Sequence, residues 1–111
     1  MLFRSAAAFE FYAALFGWTK GQGFDMGPQG TYQLFEIDGV PSGGIMNRDP
    51  QAPATGWRFY VRVDSVEAAA GRIARSGGTV TVAPQEVPGG SWVLQGRDPQ
   101  GALFALISPT K

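Results

Sequence analysis

The 111-residue chain contains no cysteine and no histidine. Without cysteine there is no disulfide framework, no thiolate ligand and no thiol nucleophile. Without histidine it also lacks the usual general base near neutral pH and the commonest transition-metal ligand. Charge of one sign is lacking too, since nine basic residues balance nine acidic ones. Such a balance gives no field for steering nucleic acid or an anionic membrane surface. No apolar run approaches the ~18 residues of a membrane span, and Met1-Leu2-Phe3-Arg4 does not open a sustained signal-peptide segment. A cytoplasmic protein with no nucleic-acid or membrane partner is the expectation.

Glycine is plentiful, with sixteen residues, and eight prolines accompany it. Short strands joined by tight turns suit that composition. The length fits one domain with one core.

Ser5 to Phe16 (SAAAFEFYAALF) reads as a helix that Gly17 ends. Phe9, Tyr12, Ala13 and Phe16 form its apolar stripe, widened by Phe11 and Leu15. With Glu10 as the sole charge, burial on most sides is expected. Trp18 to Asp25 reads as a short strand, Met26 to Gly30 as a turn, and Thr31 to Ile37 as a second strand. Asp38-Gly39 signals a hairpin that returns through Ser42 to Asn47. Arg48 to Thr55 holds two prolines and no periodic signal, which marks a linker.

Trp57 to Val63 alternates cleanly, with Phe59, Val61 and Val63 on one face and Arg58, Tyr60 and Arg62 on the other. Asp64 or Ser65 then caps a helix ending near Ser76, before Gly77-Gly78. Thr79 to Val87, Ser91 to Arg97 and Ala102 to Ser108 are further strands. Gly17 and Gly77 end corresponding helices, so a supersecondary unit repeats after about sixty residues. The first copy lacks its opening strand. Residues 1 to 4 are a remnant of it, or the chain is truncated, or another chain supplies that edge.

The segments FYAALFGW, WRFYVRVDSVEAAAGRIARSGGTV and VLQGRDPQGALFALI together resemble the vicinal oxygen chelate superfamily. That superfamily includes glyoxalase I, bleomycin and fosfomycin resistance proteins and extradiol dioxygenases; the small bacterial glyoxalase-like proteins are the nearest branch. The resemblance implies an α+β fold of paired βαβββ modules, whose mixed sheet forms a cup with helices outside. Here the first strand of module one is missing or truncated. Module one then spans 1–47, a linker 48–55 and module two 56–111, together a single domain.

In members of that superfamily that use a metal, His, Glu or Gln side chains on the first and last strand of each module converge in the cup. A divalent ion there polarises a substrate oxygen. The matching positions of this chain hold Gly43-Gly44-Ile45-Met46, Arg58 and Ala105, none of them such a ligand. No metal and no other cofactor is therefore expected.

On the same resemblance, Arg58, Tyr60 and Arg62 face the cup, while Phe59, Val61 and Val63 pack on helices. Two arginines around a tyrosine suit an anionic or planar aromatic ligand, through forked hydrogen bonds and stacking. The competing reading is a solvated face on which arginine serves solubility. Glu36 shares a face with Tyr32 and Leu34 and is a candidate for the same cup, an ion pair with Arg58 or Arg62 being its ordinary role. Trp57 and Trp92 are candidate pocket or interface walls, with core packing as the alternative. Ala105 leaves volume where a ligand side chain would stand. Asp98-Pro99-Gln100-Gly101 reads as a turn rather than a catalytic aspartate.

The resulting expectation is a metal-independent small-molecule binding protein. One alternative is a metal-dependent lyase or isomerase resembling glyoxalase I, completed by a partner chain. Another is a module pair that works only after assembly with other chains. The uncovered strand edge leads to an expected homodimer, with exchanged elements as one form of it.

Overall fold

The computed structural model describes residues 5–47 and 56–111. The linker expected over 48–55 and the strand remnant considered for residues 1 to 4 lie outside the described residues. The chain separates into two units, Met1–Gly56 and Trp57–Lys111, an α+β arrangement with one helix and one sheet in each.

The first unit starts with α1 (Ser5–Phe16), followed by β1 (Thr19–Asp25), a single 3-10 turn (Gly27–Gln29), β2 (Thr31–Ile37) and β3 (Val40–Ile45). Gly17 ends α1 with φ 76° and donates its N–H to the Ala13 carbonyl at 2.7 Å. The strands form an antiparallel sheet in the order β1-β2-β3. Asp38 and Gly39 both take positive φ, 52° and 79°, as the hairpin turn matching strand twist requires.

Packing in this unit is largely aromatic. Phe9, Phe35 and Ile45 are buried, with Ala8, Tyr12, Ala13 and Trp18 packed against them. Trp18 stacks on Phe35 with ring centroids 4.0 Å apart. Glycine makes the room: a Cβ on Gly43 would stand 2.5 Å from Phe35 Cζ, and one on Gly44 would run into the Tyr32 ring. Gly43→Ala therefore destabilises the unit by about 1–3 kcal/mol through overpacking. Urea denaturation is the check, and an unchanged midpoint would mean that Phe35 finds another rotamer without loss.

One expectation about α1 needs correcting. Phe9 is 5% exposed, but Phe11, Leu15 and Phe16 are 61%, 59% and 56% exposed. A three-stranded sheet covers one stripe of a helix, and within the first unit these apolar residues lie off that stripe.

The second unit contains β4 (Tyr60–Arg62), α2 (Val66–Arg75), β5 (Thr79–Glu86), β6 (Trp92–Arg97) and β7 (Leu103–Ser108). Its sheet order is β4-β7-β6-β5, with β4 parallel to β7 and the other pairs antiparallel. This is a βαβββ unit with an open mixed sheet. In the first unit the same helix and three strands recur, and no strand precedes α1 among the described residues.

Ser65 caps α2, its side chain accepting from the Ala68 N–H at 3.1 Å. Glu67 in the first turn and Arg72 and Arg75 in the last complement the helix dipole. The chain end straps the helix start: Lys111 offers its carbonyl to the Ser65 hydroxyl at 2.6 Å and to the Glu67 N–H at 3.1 Å. Val63 N–H reaches the Ile107 carbonyl at 2.9 Å, which extends the parallel pair.

Ser108 Oγ accepts from the Val66 N–H at 3.1 Å, so Ser108 points towards α2. Strand alternation then places Phe104 and Leu106 on the helix side, and Leu103, Ala105 and Ile107 on the other. Leu94, fully buried, pairs with Leu106 and shares the helix side.

Strand β4 departs from the expected Trp57–Val63 and keeps three residues. Phe59 and Val61, expected to pack on a helix, are 83% and 60% exposed. Helix α2 packs chiefly over β5 and β6, and its ten residues do not extend cover to the sheet edge.

Candidate functional site

The face of the second unit away from α2 is built outward from β7. Tyr60 pairs with Ala105 and Arg62 with Ile107 across the parallel ladder. On the other flank Gln95 pairs with Ala105, and Val93 with Ile107. Paired residues share a side of the sheet, so all six lie on one face. Ala105 is 1% exposed. Val93, Ala105 and Ile107 thus form an apolar floor, and Tyr60, Arg62 and Gln95 bring polar ends to its margins. Arg62 is exposed and Tyr60 is 41% exposed.

The other residues singled out in the sequence are placed differently. Arg58 and Trp57 are exposed and precede β4 outside regular structure. Trp92 pairs with Ser108, which puts it on the α2 side, with the Lys111 ammonium 5.4 Å from its ring centroid. It is not brought to the Tyr60 face. Glu36 belongs to the other unit, half-buried on β2, on the opposite side from Phe35 by alternation. Its carboxylate lies against Gly21, where an added Cβ would stand 3.1 Å from Oε2.

Asp98 is a turn residue. Its Oδ1 accepts from the N–H groups of Gln100 and Ala102, both at 2.9 Å. A shallow depression lined by Ile73, Ser76, Gly78, Pro99 and Phe104 adjoins this turn on the α2 side, away from Tyr60. Gln95 is the residue that sequence reading passes over. The signal that finds it is register across two neighbouring strands, because alternation within β6 alone does not say which face meets Tyr60.

The donor set does not fit a divalent ion. Among the described residues, no three of His, Cys, Asp or Glu gather into a group able to hold one. The paired positions on β4 and β7 carry a phenol, a guanidinium and a methyl group instead. Among the described residues, no helix is long and apolar enough to cross a membrane.

Helix, hairpins and the βαβββ order define a class before any particular relative is considered. The model of the glyoxalase-like domain matches residues 4–107, and the chain belongs to that family.

Among individual proteins, it is 28% identical over 102 residues to the Mycobacterium bovis protein named "Putative glyoxylase CFP32", covering 92% of this chain and 39% of that one. The protein of the same name from Mycobacterium tuberculosis matches equally. It is also 30% identical over 115 residues to the Streptomyces peucetius protein named "Anthracycline biosynthesis protein DnrV", covering 91% of this chain and 42% of that one. The chain thus spans about two fifths of the length of these relatives.

Proposed function

We propose that this glyoxalase-like domain binds a small anionic, planar aromatic molecule on the Tyr60 face, without a metal. The observation that carries this reading is the parallel register of β4 on β7, which sets Tyr60 and Arg62 beside Ala105 and Ile107. A guanidinium offers a carboxylate two parallel N–H donors. The apolar floor of Val93, Ala105 and Ile107 accepts the flat face of a ring. Tyr60 at the edge adds a hydroxyl and a stacking surface, and Gln95 adds an amide. Arg58, just upstream, raises the local positive charge. A cytoplasmic setting goes with this reading, since a chain without cysteine draws nothing from an oxidising compartment.

The test is a thermal-shift titration with benzoate, salicylate and an anthracycline, the last suggested by the name of the Streptomyces relative. A ligand of the native state raises the melting temperature by mass action. An aromatic carboxylate gives such a rise, and Arg62→Ala weakens its binding by about 10- to 100-fold, the worth of a hydrogen bond to a charged group. An undiminished shift in Arg62→Ala overturns the assignment of the anion to that residue. Carboxylate binding that requires added zinc or nickel overturns the metal-free part.

A further inference from the structure

The first unit carries an aromatic and acidic sheet face of its own. On β2, Phe35 is buried in the cluster with Phe9 of α1, so alternation sends Tyr32, Leu34 and Glu36 to the opposite side. All three are half-buried. Pairing adds neighbours on that side: Phe24 opposite Tyr32, Thr19 opposite Glu36 and Gly44 opposite Leu34.

Two glycines shape this face. The Tyr32 ring occupies the space above Gly44, where an added Cβ would stand 2.6 Å from Tyr32 Cζ and 2.7 Å from its hydroxyl oxygen. The ring therefore leans across β3 beside Leu34, and Phe24 stacks near it with centroids 6.4 Å apart. On the other flank, Lys20 pairs with Phe35 and Gly23 with Gln33, so Gly21 and Gln22 share the level of Leu34. A Cβ on Gly21 would stand 3.1 Å from Glu36 Oε2 and 3.2 Å from its Cγ. Glu36 thus folds back over β1 to the same level. The Gln33 amide fixes the irregular backbone there, donating to the Gly21 carbonyl at 2.9 Å. Leu34 is left as an apolar floor between a flat ring and a carboxylate, on strands about 10 Å apart.

That carboxylate has no basic partner among the described residues. Lys20 is the sole basic residue of the three strands. It lies on the α1 side, its ammonium 5.7 Å from the centroid of the Phe9 ring. The geometry points to a second binding site here, for an arylethylamine. The ligand's ring stacks on Tyr32, its two-carbon arm crosses Leu34, and its ammonium donates to Glu36. Such an arm plus a charge-assisted hydrogen bond of about 2.8 Å covers the gap. An anion is repelled by Glu36, so this site takes ligands of the opposite sign to the Arg62 site and stands independently of it.

Phenethylamine is the probe, titrated into the whole chain while amide resonances are followed. Gly21, Leu34 and Gly44 shift together, with half-saturation at about 1 mM, a strength proper to so small a ligand. Glu36→Gln keeps the shape, removes the charge and weakens binding by about 10- to 100-fold. Tyr32→Leu weakens it by about 2- to 10-fold, whereas Tyr32→Phe keeps the ring and the affinity. Ethylamine, which has no ring, binds more weakly by at least the same factor. That comparison reads the ring's part on the unaltered chain if circular dichroism shows Tyr32→Leu unfolded. Undiminished binding in Glu36→Gln overturns the proposal. So does ethylamine binding as tightly as phenethylamine, or resonance shifts confined to residues beyond Trp57. Arg62→Ala leaves phenethylamine binding unchanged and Glu36→Gln leaves benzoate binding unchanged, so the two sites stand or fall separately.

Discussion

Leu94→Ala lowers the stability of the second unit by about 2–5 kcal/mol, the range for emptying a fully buried leucine site. Leu94 has no exposed surface and pairs with Leu106 beneath α2. Its neighbours belong to hydrogen-bonded strands, which relax little into a cavity. Since single domains hold only about 5–15 kcal/mol in all, the loss is a large share of the total. Urea unfolding followed by far-ultraviolet circular dichroism is the measurement. At roughly 1–3 kcal/mol per molar urea, the midpoint falls by about 1 M or more. A change of a few tenths molar would mean that the site collapses around the smaller side chain.

Ser108→Ala weakens the same unit by about 1–3 kcal/mol, through hydrogen bonding rather than volume. Ser108 is 1% exposed. Its hydroxyl accepts from the Val66 N–H and donates to the Thr110 carbonyl. Val66 is itself fully buried, so water cannot replace the lost acceptor. Ser65, the surface cap of the same helix, is worth only about 1 kcal/mol, because solvent reaches the groups it serves. The buried hydroxyl therefore matters more than the conventional cap. Amide exchange at Val66 accelerates by about tenfold or more in Ser108→Ala, at roughly 1.4 kcal/mol per factor of ten. Ser108→Thr keeps the hydroxyl and retains protection. Equal acceleration in both variants would trace the effect to packing instead.

Much of the local structure is legible in the residues themselves. The helix over Ser5–Phe16 and the strand over Thr31–Ile37 have the bounds their patterns indicate, because strong propensity and sharp terminators agree there. Ser65, named with Asp64 as a cap candidate, makes the capping bond. Where the sequence misleads, the missing information is non-local. WRFYVRV alternates as a two-faced strand should, yet strand length follows the available partner, and the ladder on β7 begins only at Tyr60.

Similarly, α1 is apolar on nearly every side, and composition does not say which stripe meets a sheet. Gly43 and Gly44 read as positions without a metal ligand. Their physical role is to admit the rings of Phe35 and Tyr32, which depends on residues about ten positions away. The candidate site divides the same way. Tyr60 and Arg62 are visible by alternation, Gln95 only by register, and Trp92 is lost to the opposite side for the same reason.

The parallel pairing of β4 with β7 has a consequence for how the chain comes off the ribosome. In the first unit every strand pairs with its neighbour in sequence, so that sheet can zip up as soon as β3 emerges. The second unit is closed by residues about 45 positions apart, Tyr60 with Ala105. Closing so long a loop precedes any reward from the contacts it makes. During translation of the intervening residues, Phe59, Tyr60 and Val61 wait without a ladder, exposed to the nascent chain's surroundings. By that argument the second unit closes more slowly than the first.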